Sequence, residues 1–147
     1  MWLIFAILAA VFWGSYIVVV KVVTSPKYFG ISQASAALFI LLGIAVVFAA
    51  NIIYEISAGK FQMPQSKTGI LFAVLSGVLW GGGMVASLLA LKSGADVSKI
   101  SPIYNTNTLI AVLLGIILLG ELPKAAAMTK VIIGAIMIVV GSVLVAI

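Results

Sequence analysis

Residues 101–123 read SPIYNTNTLIAVLLGIILLGELP: a tyrosine, two asparagines and two threonines lead into the apolar and glycine run Leu109–Gly120, which stops at Glu121. The run is too apolar for a solvated helix, and the polar group before it is too costly to face hydrocarbon. The stretch reads as a membrane span that keeps hydrogen-bonding groups at one end for something other than lipid.

The rest of the chain agrees. It has 147 residues, of which 65% are hydrophobic and 7% charged, with a mean hydropathy of +1.38. Soluble domains carry roughly 25% charged residues because their exteriors are wet; the solvent here is a bilayer. A span needs about 20 apolar residues, and the sequence supplies five such segments: 2–23, 31–54, 68–91, 101–119 and 126–147. The expected fold is all-α, one polytopic domain over residues 1–147 with five transmembrane helices and short connectors that make successive helices antiparallel. The first segment lacks a positively charged leader, and its apolar run is longer than a signal sequence needs, so it is read as a retained span.

Composition also narrows the chemistry. With no cysteine and no histidine, disulfides, thiol catalysis, imidazole bases and the usual zinc or haem ligands are absent. Glu55, Asp96 and Glu121 fall at span ends or in connectors, and no nucleophile–base constellation can be assembled, so no enzyme, metal or cofactor is expected. The net charge of +5 comes from eight scattered lysines and no arginine. That pattern makes no nucleic-acid patch.

The lysines instead bear on topology. Five spans put the termini on opposite faces of the membrane. Lys60, Lys67, Lys124 and Lys130 then lie on one face, and Lys21, Lys27, Lys92 and Lys99 on the other. Four against four gives the positive-inside rule no bias to act on. Insertion in both orientations, with two copies paired antiparallel, follows as the expectation.

Helical spacing gathers the polar residues into stripes. Ser101, Tyr104, Asn105, Thr108, Val112 and Gly115 share a face at i, i+3, i+4, i+7 spacing, and Ser76, Trp80, Gly83 and Ser87 share another. Trp13 and Tyr16 sit together in "FWGSY" (12–16). Rings with a few polar groups suit a small polar solute, making Trp13, Tyr16, Trp80, Tyr104, Asn105, Asn107 and Thr108 the candidate substrate-binding residues. Plainer readings stand beside this one. If Ser101 is an N-cap with Pro102 as the first helical residue, Asn105 lies only about 6 Å into the helix, near headgroup water. Ser76 and Ser87 also suit helix–helix approach, and Lys21 suits snorkelling to the interface. Gly81, Gly82 and Gly83 provide either close packing or a hinge. Gly134 and Gly141, on a span with almost no polar atoms, read as a contact stripe between subunits.

These segments resemble the five-helix EamA-type repeat of the drug/metabolite transporter superfamily. The resemblance is carried by "FWGSYIVVVK" (12–21), by the run from Ser76 to Pro123 with its Ser101-Pro102 and its Leu-Gly-Glu at 119–121, and by "IIGAIMIVVGSVLV" (132–145). Members commonly hold two such repeats, inverted relative to each other. The resemblance therefore implies a half-size transporter of amino-acid- or sugar-like metabolites in the cell membrane. An antiparallel homodimer, or a heterodimer with another half-size subunit, would complete it and work by alternating access. The related small multidrug resistance exporters use a first-helix glutamate, which "WLIFAILAAVFWGSYIVVV" (2–20) lacks. An exporter of that kind and a non-transporting accessory subunit are the alternatives.

Because the chain is free of cysteine, a single cysteine introduced at either terminus is a unique label. Each terminus is expected to react from both sides of the membrane in comparable amounts; labelling of each from one side only contradicts dual topology.

Overall fold

The computed structural model describes residues 2–121 and 125–146. Lys124 and Ile147, the latter the expected end of the fifth span, lie outside the described residues. Helices α1 (Trp2–Thr24), α2 (Gln33–Ser57), α3 (Lys67–Lys92), α4 (Val97–Tyr104), α5 (Asn107–Leu119) and α6 (Ala125–Ala146) follow one another, with no strand among the described residues. Five stretches are long and apolar enough to cross a bilayer: Trp2–Thr24, Gln33–Ser57, Lys67–Lys92, Val97–Leu119 and Met128–Val145. The all-α, five-span expectation holds. The 23 residues of the first span cover about 35 Å at 1.5 Å per residue, enough for the hydrocarbon core.

Helix ends are made locally. Ser32 caps α2 by accepting the Ser35 N–H at 3.2 Å, and Ser66 caps α3 by accepting the Gly69 N–H at 3.1 Å; each satisfies one otherwise orphaned first-turn donor. At the end of α5, Gly120 adopts a left-handed φ of 66°, and the Glu121 N–H donates to the Gly115 carbonyl at 3.1 Å. This is the glycine-terminated closure that captures a last-turn carbonyl.

The fourth span departs from the sequence reading. It starts at Val97, after Asp96, and holds Pro102 inside α4, so Ser101 is not its N-cap. The helix then breaks at Asn105 and Thr106 before α5 begins at Asn107. The Ser101–Gly115 stripe is therefore divided between two helices. Pro102 withholds one backbone donor, and three residues later the Asn-Thr-Asn-Thr run offers the backbone side-chain partners that compete with helix.

The chain forms two compact units, Met1–Val18 with Ala95–Ile147, and Val19–Gly94. In the first, α4 packs against α6; Ile17, Ile100 and Ser142 are buried, with the Ser142 hydroxyl donating to the Val139 carbonyl. In the second, α2 packs against α3, and Val20, Ala36, Met84, Leu88 and Leu91 are buried. The start of α2 and the end of α3 border one cleft, as antiparallel neighbours must. Elsewhere the spans present apolar side chains outward: Phe48, Leu79, Ile117 and Met137 are each at least 65% exposed. In lipid that exposure carries no hydrophobic penalty, and helix contacts gain by packing instead.

Gly81, Gly82 and Gly83 lie inside the continuous α3, and a methyl group on any of them meets open space. Packing within this chain therefore does not require glycine there. Gly82→Ala is expected to stabilise the isolated protein by about 1 kcal/mol through helix propensity. Gly120→Ala, also sterically open but left-handed, is expected to destabilise it by about 1 kcal/mol. Unfolding midpoints of the two variants in detergent check the opposite signs.

Candidate functional site

Sequence-selected residues meet in the unit that contains α4 and α6. Trp13 and Tyr16, one turn apart on α1, touch edge to face with ring centroids 5.9 Å apart and an interplanar angle of 79°. That geometry is the favoured one for aromatic quadrupoles. Tyr104, the last residue of α4, lies close enough to Tyr16 for the two phenols to interact electrostatically. Both hydroxyls are buried, and neither has a hydrogen-bond partner among the described residues. A buried unsatisfied hydroxyl costs about 1–3 kcal/mol, so two together on neighbouring phenols are a feature that folding alone would remove.

The helix break adjoins Tyr104. Its freed carbonyls are met from within: the Thr106 hydroxyl donates to the Ile103 carbonyl at 2.7 Å, and the Thr108 hydroxyl donates to the Asn105 carbonyl. The backbone passes through the turn with the Thr106 N–H on the Ile103 carbonyl at 3.1 Å and the Leu109 N–H on the Thr106 carbonyl at 3.0 Å. Asn105 and Asn107 flank this turn with exposed side chains, and no hydrogen bond ties either amide to another described residue. Non-helical backbone at membrane depth is tolerated where it is buried in protein or lines a polar cavity. Tyr104, the Asn105 and Asn107 amides and the broken backbone follow one another along the chain, able to donate and accept hydrogen bonds but bearing no charge.

The remaining selected residues are placed differently. Trp80 lies on α3, in the other compact unit, and is 39% exposed. The hydroxyls of Ser76 and Ser87, on the same stripe, donate to the Ala73 and Gly83 carbonyls of their own helix, which favours the plainer structural reading for both. Gly134 and Gly141 on α6 have open space where a side chain would be.

Two features were not anticipated from the sequence. The Glu121 side chain turns back along α5, with Oε2 3.3 Å from where a Gly115 Cβ would sit. It borders a cavity of about 310 Å³ lined also by Ala111, Val112, Ile116 and Val131. The second is a cleft of about 420 Å³ holding both Lys21 and Lys92. The Gly120-Glu121 pair after an apolar run was a legible signal for the first; nothing local announces the second.

A family model described as the EamA-like transporter family matches residues 1–147. The chain belongs to the EamA-like transporter family. No curated protein and no solved structure matches it. With five helices long and apolar enough to cross a bilayer among the described residues, this EamA-like chain is a multi-pass membrane protein of a transporter family.

Because their hydroxyls bond to no other described residue, Tyr16→Phe and Tyr104→Phe are expected to melt at or above the parent temperature, with a gain of up to about 1 kcal/mol each. A clear loss of stability in either would show that its hydroxyl has a structural partner.

Proposed function

We propose that this chain carries a small, uncharged or zwitterionic polar metabolite, amino-acid- or sugar-like, across the cell membrane. The observation that carries the reading is the pair of buried, unpartnered hydroxyls of Tyr16 and Tyr104 beside a broken span. A passing solute supplies the hydrogen bonds that these groups lack, while Trp13 offers a ring wall. Asn105 and Asn107 add polar contacts at the break, where the Thr108 hydroxyl, already donating to the Asn105 carbonyl, can still accept.

Completion comes from a second, inverted five-helix unit, supplied by another copy or by a related subunit. The even lysine split supports an antiparallel arrangement, and the open space over Gly134 and Gly141 supports α6 as the contact between units. Alternating access then consists of one unit rocking against the other, with Gly81–Gly83 absorbing the bend. Single-repeat packing leaves those glycines without a role, which favours giving them one in motion or assembly.

One observation favours a second reading. Glu121 places a carboxylate against an apolar-walled cavity, a pairing suited to a hydrophobic cation and hence to export in the small-multidrug style.

Flux into liposomes separates the two. The Tyr16→Phe/Tyr104→Phe variant is expected to fold and to lose about tenfold in uptake of a polar metabolite, the worth of one to two neutral hydrogen bonds, whereas Glu121→Gln retains uptake. Unimpaired flux in the double phenylalanine variant sinks the site; resistance to organic cations that disappears with Glu121→Gln establishes the alternative.

A further inference from the structure

The cleft in the unit spanning residues 19–94 is independent of the polar locus and of the transport reading. It has a volume of about 420 Å³, within the range of small-molecule sites. Lys21, in the last turn of α1, and Lys92, the last residue of α3, both line it. Ser25 and Gln33 border it from the connector and the start of α2, over an apolar floor that includes Leu88 and Leu91, which are 2% and 4% exposed.

Its wall is held by the backbone. After α1 the chain doubles back: the Ser25 N–H donates to the Lys21 carbonyl at 2.9 Å, the Gly30 N–H to the Ser25 carbonyl at 3.0 Å, and the Ile31 N–H to the Val23 carbonyl at 2.9 Å. These bonds tie the first residues before α2 to the end of α1, so the cleft exists before any ligand arrives.

The charge balance selects the ligand. Each helix C-terminus contributes roughly half a negative charge, so the ends of α1 and α3 together offset about one of the two lysine charges. The N-terminal end of α2, at Ser32 and Gln33 on the same cleft, adds roughly half a positive charge. No carboxylate lines the cleft among the described residues. The Gln33 amide and the Ser25 O–H donate to no other described residue. A net positive, donor-rich cleft with an apolar floor, at the level where two spans end, matches an oxyanion attached to a less polar body.

We propose that this cleft binds a phosphate ester, with Lys21 and Lys92 holding the oxyanion, Ser25 and Gln33 donating to its remaining oxygens, and the Leu88–Leu91 floor receiving the ester's carbon end. That chemistry has two sources at a membrane face: the headgroup of an anionic phospholipid, and a soluble phosphate.

The full chain in nanodiscs tests it. In phosphatidylcholine discs, the melting temperature is followed with rising phosphatidylglycerol and, separately, with inorganic phosphate or glycerol phosphate at matched ionic strength. Stabilisation by phosphatidylglycerol alone assigns the site to lipid; stabilisation by the soluble phosphates assigns it to a solute. In either case Lys21→Gln/Lys92→Gln is expected to weaken binding about 25-fold, at roughly fivefold per lysine. Lys21→Arg/Lys92→Arg, which also checks folding, and Lys60→Gln/Lys67→Gln are expected to keep it. No stabilisation from either source, or equal losses in the two glutamine pairs, overturns the proposal.

Discussion

Hydrocarbon offers a backbone amide no partner, and the architecture follows from that constraint. Each span must satisfy its own ladder, and where a ladder stops, side chains or turns must take over. Ser32 and Ser66 do this at two helix starts, and the Gly120 closure does it at one helix end. In the fourth span the same requirement is met inside the membrane, where Thr106 and Thr108 turn their hydroxyls onto the carbonyls released at the break. The threonines at this locus are thus occupied with backbone, and the phenols and asparagine amides remain for other partners.

That division separates hydroxyls spent on their own helix from hydroxyls left unpaired. Hydroxyls of Ser57, Ser76, Ser87, Ser93 and Thr24 all donate to carbonyls of their own helices. Against this background of satisfied groups, the Tyr16 and Tyr104 hydroxyls are exceptions. The charged cleft formed by the ends of α1 and α3 differs in kind. It carries full charges at a span end, where headgroups and water lower their cost, whereas the phenol locus is neutral where charge would be expensive.

The glycines show how a pattern can be legible while its purpose is not. The triplet at 81–83 stands out in the sequence, and close packing was the simplest use for it. Within this chain a methyl at each position meets nothing, so glycine's cost in helix propensity is not repaid here by packing. The same is true of Gly134 and Gly141. Under the proposed function these small residues, which serve no internal contact, are assigned to motion or to a surface between units.

Span number and membrane residence were determined by the sequence alone, because each depends on about 20 consecutive residues and on nothing distant. The sequence also singled out Tyr16 and Tyr104, whose hydroxyls the fold buries without a hydrogen-bond partner among the described residues. The start of the fourth span at Val97 and its break after Tyr104 were not within the sequence's reach. Pro102 is equally at home as a first helical residue and inside a kinked helix, and the packing of α4 on α6 is what makes the earlier start worthwhile. Likewise the sequence put Lys21 and Lys92 on one face of the membrane, but only the tertiary fold put them on one cleft, and Tyr16 beside Tyr104. Those pairings join residues far apart along the chain, and local periodicity holds no information about which helix lies next to which.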